Sequence, residues 1–125
     1  MQPLRLAAAA AMALLLAAPV SGQQPAQLTV QLWSFGIAPN PIRLVAGRPV
    51  TMTFVNQSGS SHDFSARSFF AYSRILAGDA SNGEVDLPPH SSRSVTLVPR
   101  PGTYHAHCSH FFHKQLGMSD MIIVN

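Results

Sequence analysis

Four side chains in this sequence are of the types that together bind one soft metal ion. The only cysteine, Cys108, is followed after four residues by His113 and after four more by Met118. A further histidine, His62, lies upstream, where we expect a polar loop. One thiolate, two imidazoles and one thioether are the ligands of a type 1 copper site, a trigonal His₂Cys plane with a weak axial Met. Because thiolate and thioether favour Cu(I) and imidazole suits both oxidation states, this ligand set predicts one-electron chemistry.

Three of the four assignments have a rival in the sequence. His90, in Pro-Pro-His-Ser, is the alternative upstream histidine, but its sequence predicts a turn. His110 is the alternative histidine within the ligand loop. Met121 is the alternative axial methionine, although we expect it to lie already in the closing strand. We predict one copper ion per chain and four metal ligands: His62, Cys108, His113 and Met118.

The start of the chain has the pattern of an export signal. Arg5 is the only early charge, and residues 6–18 form an apolar run that is short for a membrane span and ends in Pro19 and small residues. We predict a signal peptide over residues 1–22, one domain over residues 23–125, and no membrane span once the signal is removed. The mature protein would be periplasmic or secreted. A single cysteine in such a protein cannot form an internal disulfide, which favours a metal-ligating thiol.

The composition limits the domain count and the kinds of partner. The chain has 125 residues, eight Lys and Arg against five Asp and Glu, and a formal net charge of +3. This length supports one domain with a modest core. Its basic residues are scattered rather than clustered, so the sequence has no nucleic-acid-binding signature.

Short alternating segments separated by Pro, Gly and Asn turns predict the fold class. They cover residues 28–35, 42–45, 49–56, 83–87, 94–98, 103–108 and 121–124. Seven or so runs at this spacing favour an all-β sandwich or barrel, and no amphipathic helix separates them as a parallel α/β fold would require. Residues 68–76 fit a helical stripe better, so we expect a short helix or an irregular excursion whose aromatic residues pack in the core or within the loop.

At the metal motif the chain resembles the cupredoxin family. The resemblance rests on Cys-x4-His-x4-Met after a Gly-Thr-Tyr strand start, and on the Asn-x5-His spacing of Asn56 and His62. The ligand spacing is that of rusticyanin-like and auracyanin-like members, and it also resembles the last domain of multicopper oxidases. The resemblance covers residues 27–125. It implies a Greek-key β-sandwich of about seven to eight strands with copper buried shallowly at one end.

Three residues in two segments depart from the family pattern. The residue after the first ligand histidine is often Asn, whose side chain ties the two ligand loops together, but here it is Asp63. An aspartate could accept hydrogen bonds from loop amides, and its negative charge would favour Cu(II) and lower the reduction potential. The ligand loop also carries Phe111 and Phe112, where relatives often have Pro-Gly.

The ligand set and the resemblance together predict an exported blue-copper protein that carries single electrons between redox partners and is not an enzyme. We expect a monomer whose partners are redox proteins, such as a cytochrome or a copper oxidase or reductase. His113 is the expected electron exit, and Phe111, Phe112 and Leu116 are expected to form an apolar docking patch around it. Transient redox encounters use small interfaces of this kind.

Two other functions remain open from the sequence. The histidine-rich C-terminal segment would also suit a periplasmic copper carrier or resistance protein. An oligomeric multicopper reductase or oxidase would need His105 or His107 to meet a ligand from another subunit. Tyr104, Ala106 and Cys108 share one strand face, so these two histidines are expected on the other face.

Overall fold

The alternating segments of the sequence form ten strands in the residues that the structure, a computed structural model, describes: 1–3, 24–109 and 118–125. The strands are β1 (Ala26–Trp33), β2 (Gly36–Ala38), β3 (Ile42–Leu44), β4 (Val50–Asn56), β5 (His62–Ser65), β6 (Arg74–Ala77), β7 (Glu84–Leu87), β8 (Ser91–Val98), β9 (Gly102–His107) and β10 (Ser119–Val124). A short helix, α1 (Arg67–Tyr72), and a 3₁₀ turn, Ser81–Gly83, lie on either side of β6.

The strands form two five-stranded sheets. The first sheet has the order β2-β1-β4-β8-β6, and the second has the order β3-β10-β9-β5-β7. Strands β1 and β4 are parallel, as are β3 and β10, and the other pairs are antiparallel. The all-β sandwich predicted from the sequence is confirmed.

The expected strand count was too low because three short strands lack the alternation that reveals a half-buried strand. All four residues of β5 are buried, and all four of β6 are exposed at the edge of the first sheet. Strand β2 has only three residues. Strand β1, which was predicted to reach Phe35, ends at Trp33, and Phe35 lies exposed in the turn before β2.

The segment of residues 68–76, for which we expected one helix or an excursion, is divided. Helix α1 ends at Tyr72, and the chain then becomes the edge strand β6. Phe69 and Phe70 are buried as expected, but Tyr72 is 57% exposed. The two phenylalanines therefore pack in the core, while the Tyr72 ring packs nearer the surface against the Tyr104 ring, with centroids 6.5 Å apart.

Aromatic rings fill the space between the two sheets. The rings of Phe54 and Phe64, from β4 and β5, have centroids 4.6 Å apart. Phe69 of α1 packs edge-on against Tyr104 of β9 at 5.6 Å. The Tyr104 hydroxyl shares its one proton between the carbonyl oxygens of Arg100 and Pro101, at 3.0 and 3.1 Å. These contacts fix β5 and β9 relative to the core, because aromatic pairs prefer such tilted and edge-on geometries.

Residues 4–23, which contain most of the predicted signal peptide, lie outside the described residues. Within the described part, no helix is long and apolar enough to cross a membrane.

One carboxyl group interrupts the apolar face of β10. Asp120 is 5% exposed, on the side of the strand that also buries Ile122 and Val124. Its Oδ1 accepts a hydrogen bond from the Met121 N–H at 2.7 Å, but its Oδ2 has no hydrogen-bond partner among the described residues. Burial raises the pKa of Asp120 to about 6, from an ordinary value of 3.8.

This carboxyl group should make the metal-free protein less stable as the pH rises from about 4 to 7. The native state holds the Asp120 proton more strongly than the unfolded chain, so stability is highest below the unfolded pKa of 3.8 and falls as pH passes the folded pKa of about 6. Asp120→Asn should remove this part of the pH dependence. Urea denaturation of both proteins across this pH range measures the effect, and equal pH slopes would contradict it.

Candidate metal centre

Strand pairing in the second sheet brings His62 and Cys108 together. His62 begins β5, and Cys108 directly follows the last residue of β9, while Ser65 lies opposite His107 in the β5–β9 pair. The Cys108 Sγ and His62 Nδ1 atoms are 3.9 Å apart, and both residues are 1% exposed. The expectation that His62 lies in a loop was therefore wrong, because it is the first residue of a strand.

The separation of these two atoms suits binding to one metal ion. Nitrogen and thiolate ligands lie about 2.0–2.3 Å from a metal such as zinc, so a trigonal angle places them roughly 3.7 Å apart. The observed 3.9 Å agrees with this value. An imidazole beside a thiolate is also a donor pair that copper prefers. The residues present therefore fit a type 1 copper ion.

Met118 lies beside this pair, where β9 and β10 meet. It directly precedes β10 and is completely buried. The Cys108 N–H donates to the Met118 carbonyl oxygen at 3.0 Å. Met121, its rival, is half-buried within β10 opposite His105, on the face away from the core. The fold therefore places Met118, and not Met121, on the buried side with the cysteine.

The predicted third ligand, His113, lies outside the described residues, as do all of residues 110–117. The same holds for His110, Phe111, Phe112 and Leu116. The ligand role of His113 and the docking patch therefore stay predictions. His90, the rival of His62, is exposed in the turn after β7, so it does not share the buried position of His62.

Asn56 builds the loop that leads from β4 to His62. Its side-chain NH₂ group is shared among the carbonyl oxygens of Ser60, Leu87 and Pro88, at 2.8, 3.0 and 3.1 Å. Its Oδ1 accepts from the N–H and the hydroxyl of Ser58. Asn56 is itself buried, so these bonds hold the loop in one conformation and fix the point at which His62 enters the sheet.

Asp63 connects the His62 strand to the residue after the cysteine. Its Oδ1 accepts from the Ser109 N–H at 2.8 Å and from the Ser65 hydroxyl at 3.1 Å, and its Oδ2 accepts from the Ser109 hydroxyl at 2.5 Å. Its own N–H points at Cys108 Sγ, 3.5 Å away. The aspartate thus ties the two ligand segments together, as expected from the sequence, and its main chain donates to the sulfur.

Two parts of this arrangement were missed at the sequence level. Ser109 meets Asp63 with both its N–H and its hydroxyl, and the only sequence signal was a small polar residue beside the cysteine. The Asn40 side chain donates to the Ser119 carbonyl oxygen at 3.1 Å, which fixes the start of β10 next to Met118. No local sequence pattern marks this role of Asn40, because its distant partner is set by tertiary structure.

A family model, described as cupredoxin-like domain, matches residues 5–124. This chain belongs to the cupredoxin family. No curated protein sequence matches it. The cupredoxin is similar in fold to a structure of auracyanin B, with 24% identity, a TM-score of 0.58, and coverage of 83% of this chain and 92% of that one.

Two further solved structures show the same fold at lower identity. Auracyanin A from Chloroflexus aurantiacus, titled a "blue" copper protein, is 19% identical, with a TM-score of 0.60 over 82% of this cupredoxin and 100% of that chain. The multicopper oxidase McoA from Aquifex aeolicus is 17% identical, with a TM-score of 0.64 over 86% of this chain but 31% of the oxidase. The fold thus occurs both in a small copper protein and as one part of a larger oxidase.

Asn56→Asp should loosen the loop before His62. The substitution keeps the size and the acceptor but removes the NH₂ group, so the carbonyl oxygens of Ser60, Leu87 and Pro88 lose their donor. We expect the free energy of unfolding to fall by about 2 kcal/mol or more, the cost of leaving buried acceptors unpaired. Chemical denaturation measures this loss. Gln57→Glu, the same change at the exposed neighbouring residue, should have little effect, and equal losses in the two variants would contradict the role of Asn56.

Proposed function

We propose that this cupredoxin is an exported type 1 copper protein that carries single electrons between redox partners. The observation that carries the proposal is the buried pair of His62 Nδ1 and Cys108 Sγ, 3.9 Å apart, with Met118 beside it at the start of β10. His113, four residues after the cysteine, is proposed to complete the ligand set. One copper ion per chain would supply a Cu(II)/Cu(I) couple there.

Hydrogen bonds within the chain restrain the two segments that carry the His62 and Cys108 donor atoms. Asn56 locks the segment before His62, and Asp63 locks the segment after Cys108. The thiolate receives the Asp63 N–H, a contact that stabilises negative charge on sulfur. With both ligand segments fixed in this way, gain or loss of an electron requires little movement of the protein.

The proposed route for the electron is through His113, with Phe111, Phe112 and Leu116 as an apolar surface for transient contact with a cytochrome, a copper oxidase or a copper reductase. The predicted signal peptide supports a periplasmic or secreted location, where such a protein would act as a monomer. We infer that it is an electron carrier rather than an enzyme, because His62 and Cys108 are buried and catalytic metal sites keep an open position.

The copper-loaded, signal-free protein should be intensely blue or green. A buried thiolate bound to Cu(II) produces strong charge-transfer absorption, so Cys108→Ser should lose the colour even where copper still binds. Optical and EPR spectra measure both properties. His90→Ala, at the exposed turn, is the matched control and should keep the spectrum. A colourless Cu(II) complex of the unmodified protein would overturn the proposal and favour a copper carrier.

Asp63→Asn should raise the reduction potential of the copper-loaded protein. The change removes one buried negative charge beside the cysteine but keeps an oxygen to accept the Ser109 N–H. Losing that charge destabilises Cu(II) relative to Cu(I). Protein-film or solution voltammetry measures the shift.

Asp86 provides the control for this charge effect. It lies opposite Asp63 on β7 but is exposed, so water screens its carboxylate. Asp86→Asn should therefore shift the potential much less than Asp63→Asn. An unchanged or lower potential in Asp63→Asn, with the blue spectrum intact, would show that the carboxylate does not tune the copper.

A further inference from the structure

The outer face of the second sheet carries two histidines that the buried site does not use. His105 is exposed and His107 is half-buried. Tyr104, which precedes them, and Ala106, which lies between them, are buried. Residues two apart on a strand project from the same face, about 6.6 Å apart at 3.3 Å per residue. Their imidazoles can therefore rotate towards a common point above the strand.

The surface on both sides of this pair is concave. A cavity of about 370 Å³ lies on the β5 side, with Ser65, Glu84 and Arg67 among its lining residues. A second cavity of about 350 Å³ lies on the β10 side, next to Asn40, Ser119 and Met121. Both His105 and His107 line both cavities, so there is room beside each ring for a ligand and its water molecules.

A carboxylate reaches the same cavity from across β5. Ser65 lies opposite His107 on one side and opposite Glu84 on the other. Ser65, Glu84 and His107 all line this cavity, and the short Ser65 side chain leaves space between the two longer ones for an ion. The Ser65 hydroxyl lies 3.2 Å from Glu84 Oε2 and 3.1 Å from Asp63 Oδ1, so its one proton is shared between the two carboxylates.

The charge around Glu84 favours a cation. Carboxylate oxygens of Asp63, Glu84 and Asp86 lie within 4.8 Å of one another. Arg67 lines the same cavity and offsets part of this negative charge. Two imidazoles with one carboxylate are ligands that Zn(II) and Cu(II) prefer, whereas Ca²⁺ and Mg²⁺ prefer all-oxygen sites.

We propose that His105 and His107, with Glu84 as third ligand, bind a Zn(II) ion on the outer face of the second sheet. This site is separate from the buried copper site, because the alternation of β9 directs Ala106 and Cys108 to the opposite face. All three ligands come from one chain, so the site needs no second subunit. It lies at the surface, and bound water completes the coordination.

Isothermal titration of Zn(II) into the copper-loaded protein tests the proposal, with the optical spectrum followed in parallel. We expect one Zn(II) ion per chain to bind without change in the copper absorption. His105→Gln and His107→Gln should each weaken the Zn(II) affinity by about tenfold or more, since loss of a ligand costs at least as much as loss of a residue that supports one. Glu84→Gln should also weaken it.

Two control variants separate this site from other sources of binding. His90→Gln removes an exposed histidine elsewhere and should leave the Zn(II) affinity unchanged. Asp86→Asn removes a carboxylate of the neighbouring acidic group, and it should have a much smaller effect than His105→Gln. If His107→Gln disturbs the adjacent cysteine, the Zn(II) affinity of His105→Gln still tests the proposal, because His105 is exposed and farther from Cys108. Absence of saturable Zn(II) binding, or unchanged affinity in His105→Gln, would overturn the proposal.

Discussion

Strands β5 and β9 pair at one register position, Ser65 opposite His107, and the metal centre depends on this contact. The pairing continues beyond the strand as side-chain bonds, because the Asp63 carboxylate accepts the N–H and hydroxyl of Ser109. Together these bonds bring two residues 46 positions apart in sequence to a separation of 3.9 Å. Without them, His62 and Cys108 would belong to unrelated segments.

Buried polar groups cluster at this end of the sandwich, and most of them are hydrogen-bonded. Asn56 and Asp63 are almost completely buried, yet each has several partners. Burying such groups is costly unless the bonds are made, so the loops have few alternative conformations in which the cost is offset. The same network that stabilises the loops therefore also positions the donor atoms. Asp120 differs, because one of its oxygens lacks a partner among the described residues and its burial raises the pKa of the carboxyl group.

Strand β9 presents different chemistry on its two faces. Tyr104 and Ala106 are directed into the core, and Cys108 continues that face at the metal centre. His105 and His107 project outward, over cavities that water can enter. The alternation of a single strand thus separates a buried thiol, protected from solvent, from imidazoles that remain accessible. This separation follows from strand geometry alone.

The sequence by itself determined the fold class and the chemical nature of the site. Alternating segments such as residues 50–56 predicted a β-sandwich, and the Cys108–Met118 spacing predicted soft-metal ligands, because periodicity and donor type are local properties. Tertiary structure alone decided that His62 begins a strand, that Ser109 meets Asp63, and that Asn40 fixes the start of β10. Strand β5 is buried on both faces, so it has no alternation to detect, and the two hydrogen bonds join residues far apart in sequence. Which distant strands pair depends on the packing of the whole core, and local sequence patterns do not contain that information.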